Sequence, residues 1–417
     1  MTEPRRRPWY SVLGPGLVTG AADDDPSGIG TYSQVGAQFG YTQPWALLFS
    51  FPLMASIQEI CARIGAGTGR GIARNLKEHY PVSLLRVVVL LLLVANVINL
   101  GADLGAMGAA LSLVVPGPAL PATIVFGVAS ILLEVFVSYG RYAAVLKWTT
   151  LSLFSYFAVV LLAEVDWHAA LRGTVVPHFT FNKDHVTALV AVLGTTISPY
   201  LFFWQSGQEV EEQHRRHVKP LMVSPRRAGP ELRRIRVDTL VGMAFSNLTA
   251  IVIVIATAAT LHKAGITQID SAVQAATALR PLAGDLAFAL FAVGIVSTGL
   301  LAVPVLAGSA AYAVAETFGW REGLNQRPRE AKAFYAVIAV ATLSGVAMNF
   351  FAINPMKALY WSAVLNGLLA PPLMVVTMLI ARNPKVMRRL VISPWLALGG
   401  WLSTAVMTGV AVMFLLI

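Results

Sequence analysis

Of 417 residues, 56% are hydrophobic and only 12% charged, about half the charge of an ordinary soluble protein. The apolar excess excludes a water-soluble fold and intrinsic disorder, and a single cysteine, Cys61, excludes a disulfide scaffold. The net charge of +10 would suit nucleic acid, but its placement along the chain gives it another meaning.

Stretches of about 20 apolar residues predict eleven membrane spans, at 12–35, 45–64, 84–110, 119–138, 149–165, 187–206, 238–261, 284–315, 332–351, 357–381 and 393–416. The eighth can also be read as a short pair. The opening RRRPWYSVLGPGLVTGAA imitates a signal peptide, yet Gly14-Pro15-Gly16 cuts its apolar core and aspartates follow, so it reads as the first retained span. With the N-terminus in the cytoplasm, 26 of the 31 Lys and Arg fall on the inner side, among them Arg5 to Arg7, Arg141, Lys147 and the run 214–236. That asymmetry is the positive-inside signal and places the C-terminus outside. No aromatics interleave the basic run, so no nucleic-acid partner is expected.

In the first span, GAADDDPSGIGTYSQ sets Asp23, Asp24 and Asp25 before Pro26 and Gly28 in an otherwise apolar stretch. One Asp at mid-helix costs about 2.5–3.5 kcal/mol on insertion, so three require a cavity, water or a cation. Pro26 and Gly28 are expected to break the helix and free carbonyl oxygens beside Asp25. In the sixth span, GTTISPYLFFWQSGQEVEE repeats the pattern, with Gly194 and Pro199 bracketing Thr195, Thr196 and Ser198. Breaks at matching places, five spans apart, point to a transporter of two inverted repeats whose site lies between them. Carboxylate, hydroxyl and carbonyl oxygens are hard ligands suited to a small metal cation.

These segments, with QEICARIGAGTGRGIA, resemble the Nramp (natural resistance-associated macrophage protein) family of divalent-metal transporters along nearly the whole chain. The resemblance implies an all-α, LeuT-like fold of two inverted five-helix repeats plus one helix. On it the chain reads as one transmembrane transporter domain, 1–417, with repeats at about 12–165 and 187–381 and an extra helix at 393–416. The family's Asp-Pro-Gly-Asn motif falls on Asp25, Pro26, Ser27 and Gly28, and its Met-Pro-His motif on Ser198, Pro199 and Tyr200. The resemblance also brings the carbonyls of Ala22 and Thr195 to the ion and leaves Asn366 as the polar tenth-span residue, Ala363 standing where the family has glutamine. The expected metal set is therefore Asp25, Ala22, Ser27, Gly28, Thr195, Thr196, Ser198 and Asn366.

Losing the soft thioether removes the sieve against Mg²⁺, an ion that keeps several waters. The pattern is most similar to the Nramp-related magnesium transporter branch. Of the family's proton-linked groups only Asp103 remains, the third-span glutamate reading Ala106 and the sixth-span histidine Tyr200. The expectation is passive, proton-uncoupled import of magnesium, also manganese, as partly hydrated ions, with Asp24, Asp103 and Tyr200 as vestibule or proton-path residues. No cofactor and no obligate protein partner are expected; the lipid bilayer of the cell membrane is the surrounding partner.

Alternatives are a proton-coupled manganese or iron importer, a sodium-coupled organic-solute transporter and, from another class, a membrane-embedded enzyme. Glu59 and Arg63, spaced i, i+4, read as an ion pair. Glu209, Glu211 and Glu212 read either as a cation funnel or as a solvated acidic patch, and His214 and His217 lack further ligands for a metal.

Overall fold

The computed structural model describes residues 14–137, 150–351 and 353–417; Arg5 to Arg7, Arg141 and Lys147, used above to orient the chain, lie outside the described residues. Among those described, every regular element is a helix, and nine helices are long and apolar enough to cross a membrane. The interrupted first span and the shorter fifth, Thr150–Leu162, bring the set to the eleven expected.

The first span is two half-helices, Pro15–Asp23 and Pro26–Phe39, and the sixth is Lys183–Thr196 followed by Pro199–Arg215. Both prolines sit at the first position of the second half-helix, where the missing amide costs nothing and the fixed φ suits the helix. The breaks themselves fall on Asp24 and Asp25, and on Ile197 and Ser198. This corrects the expected role of two glycines. Gly28 lies in the first turn of Pro26–Phe39, and Gly194 lies inside Lys183–Thr196, where a Cβ would stand 2.1 Å from the Ala363 carbonyl oxygen. Gly194 is there for close approach of the tenth span, Pro355–Arg382, not for unwinding.

The eighth span is one helix, Ala287–Phe318, so the short-pair reading is set aside; Pro304 is accommodated within it. The seventh begins at Ala228, ten residues before the apolar stretch, because its charged first turns extend beyond what hydropathy detects.

The first and seventh spans meet backbone to backbone. A Cβ on Gly20 would fall 2.3 Å from the Gly242 carbonyl oxygen, and one on Gly242 would fall 2.2 Å from that of Gly16. Along the seventh span Asp238, Gly242, Ser246 and Ala250 recur every four residues, forming a stripe that is buried throughout and turned to the first span.

Because backbone atoms cannot step aside as a flexible side chain does, Gly20→Val should destabilise the protein by about 1–3 kcal/mol or more. Thermal unfolding in detergent is the measurement. Gly229→Ala, which meets nothing within 4 Å, should leave the midpoint in place.

Candidate metal-cation site

At the first break Asp25 caps the helix that follows it. Its Oδ1 accepts the Gly28 amide at 2.6 Å and the Ser27 hydroxyl at 2.8 Å. From the sixth span, the Tyr200 hydroxyl lies 3.2 Å from Asp25 Oδ2 and 3.3 Å from the Ala22 carbonyl oxygen. Thr195 completes the approach: a Cβ on Gly28 would stand 3.3 Å from both Asp25 Oδ1 and Thr195 Oγ1. The absent Gly28 side chain leaves no open space here, since Thr195 and the Asp23 carbonyl, 3.2 Å from the same point, take it up.

Two half-helices, Pro15–Asp23 and Lys183–Thr196, end at this place with their carbonyls free of further helix, so the negative ends of their dipoles favour a cation. Ala22, Asp25, Ser27, Gly28, Thr195 and Tyr200 are brought together. Thr196 and Ser198 turn their hydroxyls back, Thr196 to Val192 O at 3.0 Å and Ser198 to Gly194 O at 2.9 Å and Thr195 O at 2.8 Å. Asn366 turns to the third span, donating to Asn99 Oδ1 at 3.3 Å.

Asp23 and Asp24 leave the Asp25 side and share Ser246 of the seventh span, whose Oγ is 2.6 Å from Asp23 Oδ2 and 3.1 Å from Asp24 Oδ1. Asp103, on the third span Val82–Leu111, faces Asp25, Tyr200 and the amide of Ser27. One turn further along, Met107 packs its thioether against the same point near Gly299 that the ring of Pro26 approaches.

Asp25 is buried, and polar contacts flank its surroundings from two directions. On one side Gln34 bonds the loop at 267–269, accepting the Ile269 amide at 2.9 Å and donating to Thr267 O at 3.1 Å beside a cavity of about 220 Å³. On the other, Asp238 accepts the amides of Gly14, Gly16 and Leu17 at 2.8, 2.8 and 3.1 Å, holding the start of the half-helix Pro15–Asp23 by its positive end. Arg234 joins Asp238 at 3.5 Å to Glu209 at 2.6 Å and Glu231 at 2.7 Å, and Thr19 bonds Gln205 of the sixth span. Sequence reasoning passed over Asp238, Ser246 and Gln205; the four-residue stripe on the seventh span was the available signal.

The acidic group after the sixth span is neither a funnel nor a solvated patch. Glu209 is consumed by Arg234, Glu212 pairs with Arg215, and Glu211 accepts the Leu324 amide at 2.6 Å and Asn325 Nδ2 at 2.7 Å. Glu59 and Arg63 form the expected ion pair at 2.5 Å. No group of three or more His, Cys, Asp or Glu among the described residues is placed to hold a metal, His214 and His217 included.

A buried carboxylate at the meeting of two interrupted helices is the arrangement of a membrane transporter whose substrate site lies between two repeats. The chain belongs to the Nramp family: the family model described as natural resistance-associated macrophage protein-like matches residues 16–417. Similar proteins include the divalent metal cation transporter MntH of Yersinia enterocolitica, 27% identical over 310 residues covering 72% of this chain and 71% of that one. MntH of Klebsiella pneumoniae is 25% identical over 408 residues, 96% of this chain and 92% of that one. A crystal structure of a mutant Eremococcus coleocola manganese transporter superposes with a TM-score of 0.76 at 16% identity, over 99% of this chain and 88% of that one. An inward-facing structure of Mhp1 gives 0.54 at 14% identity, over 98% and 90%. The protein is a multi-pass membrane transporter of LeuT-like fold, not an enzyme.

Removing the Asp238 carboxylate orphans three amides, while Arg234 keeps Glu209 and Glu231, so Asp238→Ala should release the first half-helix. The check is labelling of Ala22→Cys, a position fully buried here, with a membrane-impermeant thiol reagent; the rate should rise in the Asp238→Ala background. Cys61, the single native thiol, is buried and gives little background.

Glu322, in the connector between the eighth and ninth spans, lines a cavity of about 350 Å³ with Glu211 and His214. Burial, with the neighbouring carboxylates of Glu316 and Glu211, raises its pKa to about 9. A raised carboxyl pKa contributes stability below the unfolded value of 4.5 that is lost as pH climbs to about 9. Glu322→Gln should therefore melt higher than wild type at pH 8, with the gain shrinking as pH falls towards 4.5.

Proposed function

We propose that this chain imports divalent metal cations, magnesium and also manganese, as partly hydrated ions driven by the membrane potential without proton coupling. The observation that carries the reading is the pairing of Asp25 with Tyr200, in a break where Ser198 replaces a thioether. A lone carboxylate with carbonyls and hydroxyls suits an ion that keeps much of its water. A phenol, with an ordinary pKa near 10, holds its proton at neutral pH where an imidazole would exchange one. A potential of 100 mV, inside negative, gives a divalent ion about 4.6 kcal/mol, at about 2.3 per charge.

Within this reading Asp25 is the principal ligand, Ala22 and Thr195 offer carbonyls, and Ser27, Gly28, Thr196, Ser198 and Asn366 shape the remainder of the site. Asp24 and Tyr200 border the path. The repeats run at about 12–165 and 187–381 with 393–416 added, and the N-terminus is cytoplasmic with the C-terminus outside.

A second reading, a proton-coupled manganese importer, is favoured by the named substrates of the similar proteins and by Met107, whose thioether lies close to Pro26. The two part in proteoliposomes under a set potential, with Mg²⁺, Mn²⁺ and internal pH recorded together. Entry of Mg²⁺ and Mn²⁺ without acidification, abolished in Asp25→Ala, is expected. Mn²⁺ entry with acidification and no Mg²⁺ flux would establish the second reading instead.

A further inference from the structure

Asp103 is fully buried, and neither of its carboxylate oxygens has a hydrogen-bond partner of regular geometry among the described residues, although the Ser27 amide is close by. The same face of the third span carries Asn96 and Asn99, at steps of three and four residues. Asn99 is also fully buried, and its Nδ2 has no partner while its Oδ1 accepts from Asn366. Buried polar groups are almost always satisfied, so unmatched oxygens and an unmatched amide side by side call for a ligand that brings its own donors and acceptors. Asp103 lies within electrostatic reach of Asp25 and Tyr200, which places it in the neighbourhood of the same site.

We propose that Asp103, with the Asn99–Asn366 pair, binds the water shell of the transported cation, accepting hydrogen bonds from metal-bound waters while Asp25 and the carbonyl ends take the other side. The proposal rests on the reading of the chain as a carrier of partly hydrated divalent ions. Among the described residues no group of three or more His, Cys, Asp or Glu is placed to hold a metal as a closed protein cage, so retained waters would fill the remaining positions. A bound water extends the reach: a metal–oxygen distance of about 2.1 Å followed by a hydrogen bond of about 2.7 Å lets a carboxylate act on an ion it never touches. Mg²⁺ in proteins keeps several of its waters and is often held directly by a single carboxylate, which leaves those waters to be bound by other side chains.

The test is Mg²⁺ uptake by the full chain in proteoliposomes, with hexamminecobalt(III) as the probe. That complex does not exchange its ligands, and its six ammines donate hydrogen bonds as a hexahydrated Mg²⁺ does, so it occupies only outer-sphere sites. It should inhibit wild-type uptake competitively. Asp103→Asn should weaken that inhibition and raise the KM for Mg²⁺, each by about ten-fold, the worth of one charge-assisted hydrogen bond, while Vmax changes less. Asp103→Glu should restore part of both, and Asn99→Ala, a variant that keeps the carboxylate, should shift both in the same direction. Thermal unfolding of each variant separates this from a structural role. If Asp103→Asn and Asn99→Ala keep wild-type KM and hexamminecobalt inhibition while Asp25→Ala abolishes uptake, the water-shell role is overturned and the transport reading stands. If an unaltered chain moves no divalent ion, the transport reading itself falls. Should Asp103→Asn not fold, the Asp103→Glu and Asn99→Ala measurements decide by the same criteria.

Discussion

Three consecutive carboxylates must be satisfied in a medium that offers no water, and the arrangement of the first, sixth and seventh spans follows from that requirement. Asp25 is met by the amide and hydroxyl of its own following turn and by Tyr200 across the break. Asp23 and Asp24 both reach Ser246, whose single hydroxyl proton serves one of them at a time, and this contact ties the seventh span to the first. On an intact helix successive residues point about 100° apart, so three adjacent aspartates could not share one cavity without the interruption. The break is therefore both the consequence of the charges and the origin of the site.

The same economy of donors governs movement. The half-helix Pro15–Asp23 is nine residues long, too short to be stable without its neighbours, and it is held at its start by Asp238, along its side by glycine-to-glycine contact and near its middle by Thr19 and Gln205. Its N-terminal tether is electrostatic, a carboxylate at the positive end of a helix, and Arg234 distributes that charge to Glu209 and Glu231. Elsewhere Gln34 makes a comparable polar tie to the loop at 267–269. Few-atom polar contacts of this kind part more readily than broad apolar packing, which resists opening in proportion to buried area.

Most of the fold was legible because a bilayer imposes a simple code of length and hydropathy. The span count, the placing of both breaks within a few residues and the Glu59–Arg63 pair all follow from local pattern. Errors arose where a residue's role depended on a partner distant in sequence. Gly194 looks like a helix breaker by composition, yet the backbone of Ala363, far along the chain, is what requires it to be small. Glu209, Glu211 and Glu212 look solvated until Arg234, Tyr312, Leu324 and Asn325 are seen to take them up. The hydroxyls of Thr196 and Ser198 bond carbonyls of the half-helix before the break, a local pairing common for Ser and Thr that residue type alone does not reveal.

By itself the sequence determined that the chain spans a membrane, that two of its helices are interrupted at matching places and that Asp25 lies at one interruption, since insertion energetics and proline stereochemistry act within a few residues of their cause. Only the tertiary structure decided which oxygens surround Asp25, that Asp23 and Asp24 face the seventh span and that buried polar atoms of Asp103 and Asn99 are left unmatched. Those outcomes depend on which helix faces are pressed together, and hydrogen-bond partners separated by a hundred residues or more leave no local trace in the chain.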